Sequence, residues 1–464
     1  MKNAEKIAEV VAQEGEPQKR EIKKVLIANR GEIALRALRT IKEMGKDAIC
    51  IYSTADKDAL YLRFAKASIC IGAPRSTESY LNIPAVITAA ELSGADAIFP
   101  GYGFLSENQT FVEICAKHNI KFIGPSVAAM SLMADKSKAK QVMQRAGVPV
   151  IPGSDGEIKG IAAAKKLAKS MGYPVILKAA SGGGGRGMRV VSKESELEKA
   201  YWSAESEAVT AFGDGTMYME KFIENPRHIE VQIIGDAYGN VIHLGERDCS
   251  LQRRHQKVIE EAPAQILRPE VREKLLETAV TAAKAISYEG AGTFEFLLDK
   301  DQNFYFIEMN TRLQVEHCVS EMCTGIDLVK LMIEVAEGKE LPSQDSVIFR
   351  GHSIECRITA EDPQSFVPNP GTITKYVAPA GANVRMESHI YQGYSVPPYY
   401  DSMIGKLVVW APDRAQAIHK MSCALDELYI GGIKSTKAFH AEMMENKDFL
   451  DNNFDTNYLA RTLV

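Results

Sequence analysis

The chain has 464 residues, of which 45% are hydrophobic and 25% are charged, and its formal net charge at pH 7 is −5. This composition is that of a globular protein long enough for about three domains. The slight acidity and the absence of a long basic block argue against a nucleic-acid-binding surface, although a local pocket for an anion is still compatible with them. No apolar run reaches the length of a membrane span, so a membrane protein is not expected.

Residues 1–21 form a predicted N-terminal extension, which carries Glu5, Glu9, Glu14 and Glu16 and lacks an extended apolar core. It therefore matches neither a secretory signal nor an acid-poor transit peptide, and we expect a cytoplasmic protein. A docking helix and a disordered leader are equally compatible with its sequence. The eight cysteines contain no C-x-x-C pair, so neither a disulfide framework nor a zinc site is indicated.

Residues 22–133 alternate short apolar runs with segments of helix length. A strand over Lys24–Ala28 leads into an amphipathic helix over Gly31–Met44. This alternation predicts a parallel, doubly wound sheet. No G-x-G-x-x-G follows the first strand, which disfavours a nicotinamide site. The further strands are predicted at 48–52, 68–71, 97–99 and 120–123.

A second domain is predicted over 134–351, with a mobile lid at about 151–223. It begins with a helix over 136–146 and continues into a mixed sheet. Repeated turn signals from about residue 352, such as Pro397-Pro398, indicate a third, smaller α+β domain over 352–464. The strands of the mixed sheet are predicted at 174–178, 188–191, 216–220, 229–234, 241–245, 293–298 and 304–309.

The segment Phe304–His317 opens with aromatic and β-branched residues and then alternates polar side chains. If the chain stays extended, these polar groups share one face of a strand. Carboxylate and amide oxygens suit Mg²⁺, and an arginine beside them suits an oxyanion. A solvated strand face is the alternative for this pattern alone. The alternating residues are Glu308, Asn310, Arg312, Gln314 and Glu316.

Three other segments carry groups suited to a phosphorylated ligand. Lys178 precedes a glycine-rich loop at 182–187, whose backbone amides can approach a phosphate, although no Gly-Lys-Ser/Thr of a Walker loop follows. Arg247–Lys257 concentrates five basic residues, which a solvated basic face would also explain. Glu295 is a carboxylate inside an apolar strand, an unfavourable placement unless it is paired or binds a metal.

Together these ordered motifs closely resemble biotin carboxylase, the ATP-grasp subunit of acyl-CoA and pyruvate carboxylases. The resemblance runs from about residue 22 to the C-terminus. It implies an α/β and α+β architecture with a doubly wound pre-ATP-grasp domain, a central ATP-grasp domain with a glycine-loop lid, and a C-terminal α+β domain. The motifs that carry it are Ile27–Ala34, Pro100–Asn108, the glycine loop, Glu246–Lys257, Glu308–His317 and Pro398–Lys406.

The resemblance also implies an ATP site and a metal site. Glu295, Glu308 and Asn310 would hold Mg²⁺ or Mn²⁺, with two ions expected. The residues expected to bind ATP are Lys136, Lys178, Gly182, Gly183, Gly184, Gly185, Gly187, Glu220, Lys221, Ile223, His228, Gln252, Glu295 and Glu308.

By the same resemblance, ATP would phosphorylate bicarbonate to carboxyphosphate, and biotin carried on another protein would then be carboxylated. Glu316 would be the general base, and Arg357 would stabilise the biotin enolate. One departure is Cys318, which stands where the family usually has proline. Bicarbonate would lie against Lys257, Arg312, Gln314, Val315 and Glu316, and biotin near Tyr102, Gly103, His255, Gln256 and Arg357.

The implied partners are a biotin carboxyl carrier protein and a separate carboxyltransferase, since the chain has no Ala-Met-Lys-Met biotinylation motif. Acetyl-CoA carboxylase is the expected parent complex, with a two-subunit pyruvate carboxylase as the main variant. Another ATP-grasp ligase, such as carbamoyl-phosphate synthetase or a purine-pathway carboxylase, is a further alternative. A regulatory nucleotide-binding subunit would show gaps in the catalytic set, and none is seen. A homodimer is implied, with Arg36, Arg39 and Arg385 near its interface.

Overall fold

The structure is a computed structural model, which describes residues 19–154, 156–179, 188–212 and 214–463. Within it the chain divides into two compact units. The first comprises the residues up to Val148, Arg227–Phe296, and the chain from Glu308 onward. The second comprises Pro149–Pro226 and Leu297–Ile307. The predicted lid falls within the second unit, and its mobility stays a prediction, as do the predicted domain boundaries.

The N-terminal part of the first unit is a five-stranded sheet in the order β3-β2-β1-β4-β5, with all neighbours parallel. Val25 and Ile27 of the first strand pack into one core, while Leu26 packs into another on the opposite face. The predicted doubly wound sheet is therefore confirmed. Its elements are β1 (Lys24–Ile27), α1 (Gly31–Glu43), β2 (Asp47–Ser53), β3 (Ala67–Gly72), α2 (Ile83–Ser93), β4 (Ala97–Phe99), α3 (Gln109–Lys117), β5 (Lys121–Phe122), α4 (Val127–Ala134) and α5 (Lys136–Arg145).

The second unit contains a three-stranded antiparallel sheet in the order β7-β6-β8. Val175 and Leu177 face a core shared with Leu197 and Tyr201 of the covering helix. This sheet is separate from the strands that follow it, so the prediction of a single mixed sheet was wrong. Alternating side chains show which strands have a buried face, but partner choice is a tertiary property. The elements are α6 (Gly160–Met171), β6 (Val175–Ala179), β7 (Met188–Val191), α7 (Glu194–Phe212) and β8 (Met217–Lys221).

A large sheet in the order β13-β12-β9-β10-β11-β14-β19-β17 forms the centre of the first unit. Its strand β10 runs on to Arg253, well past the end predicted for it, and pairs antiparallel with β11. Arg254 and His255 join the two strands with φ of 51° and 65°. These left-handed values are typical of a tight hairpin turn. The elements are β9 (Arg227–Gly235), β10 (Val241–Arg253), β11 (Gln256–Ala262), α8 (Pro269–Ala285), β12 (Gly290–Leu298), β13 (Phe304–Asn310), α9 (His317–Thr324) and α10 (Leu328–Ala336).

The C-terminal residues add three antiparallel strands to the same sheet and cover it with helices. Leu407 and Val409 of the central added strand face a core that includes Met421 and Leu425 of the first covering helix. The predicted α+β character of this region is confirmed. The elements are β14 (His352–Thr359), β15 (Gly371–Thr372), β16 (Lys375–Val377), β17 (Val384–Ser388), β18 (Ser395–Val396), β19 (Met403–Ala411), α11 (Arg414–Glu427), β20 (Tyr429–Gly431), α12 (Lys437–Glu445), α13 (Lys447–Leu450) and α14 (Tyr458–Thr462).

Candidate active site

Lys257, on β11, stands at the centre of a group of buried carboxylates. Its Nζ lies 2.8 Å from Glu316 Oε1 and 3.0 Å from Glu295 Oε1, and it also contacts Glu230 Oε1. Burial opposes the charge of the lysine, but the three carboxylates outweigh burial and hold the pKa of Lys257 well above its ordinary value. The lysine is therefore a fixed cation at neutral pH.

Arg357, on β14, approaches Glu316 from the other side. Its Nη2 lies 2.9 Å from Glu316 Oε2, and its Nε donates to Glu260 Oε1 at 2.6 Å. Burial raises the pKa of Glu316, but Lys257 and Arg357 reverse that effect and leave it below the ordinary value. Glu316 is therefore ionised at neutral pH and able to accept a proton.

Glu260 differs from Glu316 although both pair with the same arginine. Burial is the largest influence on Glu260, and the neighbouring Glu316 carboxylate adds repulsion. Arg357 offsets only part of these effects, so the pKa of Glu260 rises to about 7. This carboxyl group changes its charge close to neutral pH.

The polar side chains after β13 do not lie on one extended strand, so that prediction was wrong. The strand ends at Asn310 and α9 begins at His317, because Leu313 turns into the core and Glu316 becomes the N-cap of the helix. The turn nevertheless keeps Arg312 close to the strand end. Its Nη2 donates to Asn310 Oδ1 at 2.8 Å.

Two arginines tie this turn to the rest of the first unit. Arg312 Nε donates to Glu107 Oε2 at 2.9 Å. Arg247, fully buried on β10, donates to Gln314 Oε1 at 2.7 Å and pairs with Glu230 at 3.0 Å. The chain around the predicted base is thus fixed from several directions.

Sequence reasoning did not single out Glu107, Glu230, Arg247 or Glu260. The available signal was a charged residue inside an apolar strand, which was applied to Glu295 but holds equally for Glu230 and Glu260. We call the following seven side chains the buried charge cluster: Glu230, Arg247, Lys257, Glu260, Glu295, Glu316 and Arg357.

A cavity of about 260 Å³ opens beside this cluster. Tyr102 and Gly103 are not among the residues that line it; the Tyr102 hydroxyl instead donates to the Glu32 carboxylate. The cavity brings eight predicted site residues together, namely His255, Gln256, Lys257, Arg312, Gln314, Val315, Glu316 and Arg357. Its remaining wall is formed by Arg253, Val258, Thr359, Glu361, Phe366, Asp401, Ser402, Met403 and Thr436.

Other predicted ATP residues lie on the sheet of the second unit. Lys178 Nζ pairs with Glu220 Oε2 at 2.5 Å across β6 and β8. Met188 stands opposite Lys178 on β7 and is exposed. Lys221 Nζ donates to the Gly172 carbonyl at 3.2 Å. This face therefore combines an ion pair with an exposed apolar side chain. Ile223 follows β8 and is half-buried, while Gly182, Gly183, Gly184, Gly185 and Gly187 lie outside the described residues.

The first unit holds the remaining predicted ATP residues. His228 Nε2 lies 3.0 Å from Glu295 and 3.2 Å from Glu230. Burial disfavours its charge, but these carboxylates outweigh burial and raise the pKa of His228 to about 9. Gln252, on β10, donates to the Cys249 carbonyl at 2.9 Å, and Lys136, at the start of α5, pairs with Glu308 at 3.0 Å.

Three family descriptions match successive parts of the chain. They are "Biotin carboxylase, N-terminal domain" at residues 21–130, "Carbamoyl-phosphate synthase L chain, ATP binding domain" at 135–344, and "Biotin carboxylase C-terminal domain" at 355–461. The chain is 56% identical to "Biotin carboxylase" of Nostoc sp. over 438 residues, which cover 94% of this chain and 98% of the relative. The chain belongs to the biotin carboxylase family. It is therefore an ATP-dependent ligase with an ATP-grasp domain.

Solved structures of biotin carboxylases share this fold. A biotin carboxylase from Campylobacter jejuni, described as a β-γ-ATP complex, is 77% identical, with a TM-score of 0.88 over 95% of this chain and 99% of that chain. The biotin carboxylase domain of a 2-oxoglutarate carboxylase from Hydrogenobacter thermophilus is 50% identical, with a TM-score of 0.86 over 95% and 98% of the two chains. That structure is described as a dimer with MgADP, ADP and bicarbonate.

The chemistry of three side chains fits the divalent metal of this family. Glu295 on β12 and Glu308 on β13 supply carboxylates, and Asn310 supplies an amide oxygen. Glu295 is buried and already holds the cations Lys257 and His228 against it, while Glu308 holds Lys136. Hard oxygen donors in a site that attracts cations are what Mg²⁺ requires.

Within the described part of the chain, no helix is both long and apolar enough to cross a membrane. The cytoplasmic location stays a prediction.

Proposed function

We propose that this biotin carboxylase uses ATP and bicarbonate to carboxylate biotin, and that the cavity beside the buried charge cluster is where bicarbonate and biotin react. The observation that carries the proposal is the position of Glu316, whose two carboxylate oxygens are held separately by Lys257 and Arg357. An ionised carboxylate of fixed direction between two cations suits proton abstraction from an acidic substrate that the same cations attract.

Bicarbonate binds in this proposal against Lys257, Arg312, Gln314 and Val315, which all line the cavity with Glu316. Lysine and arginine attract the anion, and Glu316 takes its proton. The resulting oxyanion attacks the γ-phosphorus of ATP, forming a phosphorus–oxygen bond as ADP leaves. The product is carboxyphosphate, which is anionic and labile, so a cationic pocket that excludes water protects it.

Breakdown of carboxyphosphate gives carbon dioxide and phosphate, and the phosphate removes the ureido proton of biotin. The biotin enolate then attacks carbon dioxide to form carboxybiotin. Arg357 stabilises the negative enolate oxygen, because its guanidinium keeps its charge: the pairing with Glu260 and Glu316 outweighs burial and raises the pKa of Arg357. We place the biotin ring near His255 and Gln256 in the same cavity, with Tyr102 and Gly103 nearby.

ATP binds in this proposal through Lys178, Glu220, Lys221 and Ile223 of the second unit and the glycine loop at 182–187. In the first unit, Lys136, His228 and Gln252 complete the nucleotide site. Glu295, Glu308 and Asn310 would hold Mg²⁺, or Mn²⁺ in its place. A bound metal ion neutralises charge on the phosphates during phosphoryl transfer.

The proposed partners are a biotin carboxyl carrier protein, which presents biotin, and a carboxyltransferase, which takes the carboxyl group onward. Acetyl-CoA carboxylase is the proposed parent complex, and pyruvate carboxylase is the alternative. Relatives of comparable identity serve different acceptors, as the 2-oxoglutarate carboxylase domain illustrates.

We also propose a homodimer. Arg39, of which 48% of the side chain is exposed, and Arg385, on β17, both pair with Glu387 and are placed to approach a second copy. Arg36 is turned inward instead and pairs with Glu321 and Asp327 of its own chain.

The direct test uses purified protein with Mg²⁺ and ATP, and follows labelled bicarbonate into carboxybiotin with and without free biotin. We expect ADP release that depends on bicarbonate and label transfer that depends on biotin. Folded protein that binds ATP, yet neither cleaves it with bicarbonate nor labels biotin, would refute the proposal and direct the search to another ATP-grasp substrate.

A further inference from the structure

Lys406, on β19, is a lysine whose side chain is fully buried in the first unit. It stands directly opposite Arg357 on one neighbouring strand and opposite Glu387 on the other. An ammonium group in such a place is unfavourable unless several partners compensate for the lost water. The identity of those partners indicates what the lysine does.

The ammonium group of Lys406 contacts the chain on both sides of Glu316. Its Nζ donates to the Val315 carbonyl at 2.6 Å, an oxygen of the peptide group that links Val315 to Glu316. It also donates to Cys318 Sγ at 3.3 Å, in the first turn of α9. Lys406 thus holds the residue before Glu316 and the second residue after it.

Stabilisation of α9 does not explain this placement. The N-terminus of a helix carries partial positive charge, so a cation there is electrostatically unfavourable. The compensating charge comes instead from Glu32, whose Oε1 lies 3.4 Å from Lys406 Nζ. Glu32 also accepts the Tyr102 hydroxyl, so a continuous chain of contacts joins Tyr102 to the backbone beside Glu316.

We propose that Lys406 is a positioning residue for the use of bicarbonate. It fixes the peptide group between Val315 and Glu316, and thereby the direction from which the Glu316 carboxylate meets bicarbonate. The inference rests on the proposed function, because it takes Val315 and Glu316 as parts of the bicarbonate site. Lys406 itself does not line the cavity, so it acts through these two residues.

The test is Lys406→Met, which keeps an unbranched side chain and removes the donor. Bicarbonate-dependent ATP cleavage is measured without biotin, so that any effect through Tyr102 on biotin does not enter. We expect the KM for bicarbonate to rise about tenfold or more, with the KM for ATP within about twofold of the unsubstituted protein, because only one substrate meets the displaced peptide.

Lys46→Met is the matched control. Lys46 is also largely buried, and its Nζ donates to the Ile22 carbonyl at 2.6 Å and pairs with Glu337 at 2.5 Å, the same kinds of partner as those of Lys406. Both variants should lose stability in thermal unfolding, but the control should keep the KM for bicarbonate within about twofold.

An unchanged KM for bicarbonate in folded Lys406→Met would overturn the inference, and so would an equal rise for ATP. If that variant does not fold, Glu32→Gln is measured in the same assay: it weakens the anchor of the ammonium, and a rise of about two- to fivefold supports the inference, whereas no change overturns it. Absence of bicarbonate-dependent ATP cleavage in the unsubstituted protein would overturn the proposed function, and this inference with it.

Discussion

The two units hold their charged side chains in different ways. In the first, Glu316 is 2% exposed and is held by both Lys257 and Arg357, each of which has further acidic partners. In the second, Lys178 and Glu220 form a pair whose side chains are 39% and 20% exposed. The first arrangement is a buried network of mutual support, and the second is a half-open ion pair on a sheet surface.

The difference separates stability from chemistry. A buried charge that loses its partner is left uncompensated, so substitutions in the buried charge cluster should reduce both stability and activity. A half-exposed pair adds little to stability, because water can replace either partner. Substitutions on the sheet of the second unit should therefore change the use of nucleotide and leave folding intact.

The largest effect is expected for Glu316→Gln, which removes the proposed base. Carboxybiotin formation should fall by about 100-fold or more, since general base catalysis contributes at least that much. Unfolding should become easier by about 1–3 kcal/mol, because Lys257 and Arg357 lose a charged partner. Label transfer to biotin and denaturant titration measure the two effects. Glu273→Gln, an exposed carboxylate on α8, is the control and should change neither. More than a tenth of normal activity in Glu316→Gln would contradict the role of the base.

Arg357→Ala tests whether roles are divided within the cluster. Biotin carboxylation should fall by about 100-fold, because an enolate oxygen loses its stabilising cation. Bicarbonate-dependent ATP cleavage without biotin should fall less. Both rates are measured on the same preparation, beside Arg350→Ala, which alters an exposed arginine. Equal loss of the two activities in a folded Arg357→Ala protein would remove the assigned division.

Lys178→Ala tests the second unit. Removal of the cation should weaken nucleotide use, with kcat/KM for ATP about tenfold lower or less, while the free energy of unfolding changes by less than about 1 kcal/mol. ATP cleavage and thermal unfolding provide the readouts. Lys165→Ala is the matched control, because Lys165 pairs with Glu198 at 2.7 Å and is similarly exposed. If both variants reduce ATP cleavage alike, Lys178 has no special role in nucleotide binding.

The smallest expected effect is a pH dependence that Glu260 contributes to stability. Its pKa is about 7 in the folded protein and 4.5 as a model value for the unfolded chain. Between these values only the unfolded chain releases the proton, so stability falls as pH rises from 4.5 to 7 and levels off above it. The slope is at most about 1.4 kcal/mol per pH unit. Unfolding measured against pH should show this slope relative to Glu260→Gln, and parallel curves for the two proteins would contradict the raised pKa.

Much of the fold follows from local pattern. Strands β1 to β5 and α1 lie close to their predicted positions, because apolar runs and helical periodicity act over a few residues. The extended reading of Glu308 to Glu316 failed for the same reason. Alternation predicts a strand wherever it occurs, whereas burial of Leu313 and the start of α9 end the strand at Asn310.

By itself the sequence determined the order of elements, the family resemblance and most of the residues that line the cavity, because ordered motifs and side-chain chemistry are written along the chain. Tertiary structure alone decided which charges meet. Glu230, Glu260 and Lys406 lie far apart in sequence from Glu316 or in different strands, and neighbouring strands of one sheet bring them to the same site. Contacts between distant segments depend on strand order and burial, which no local pattern specifies.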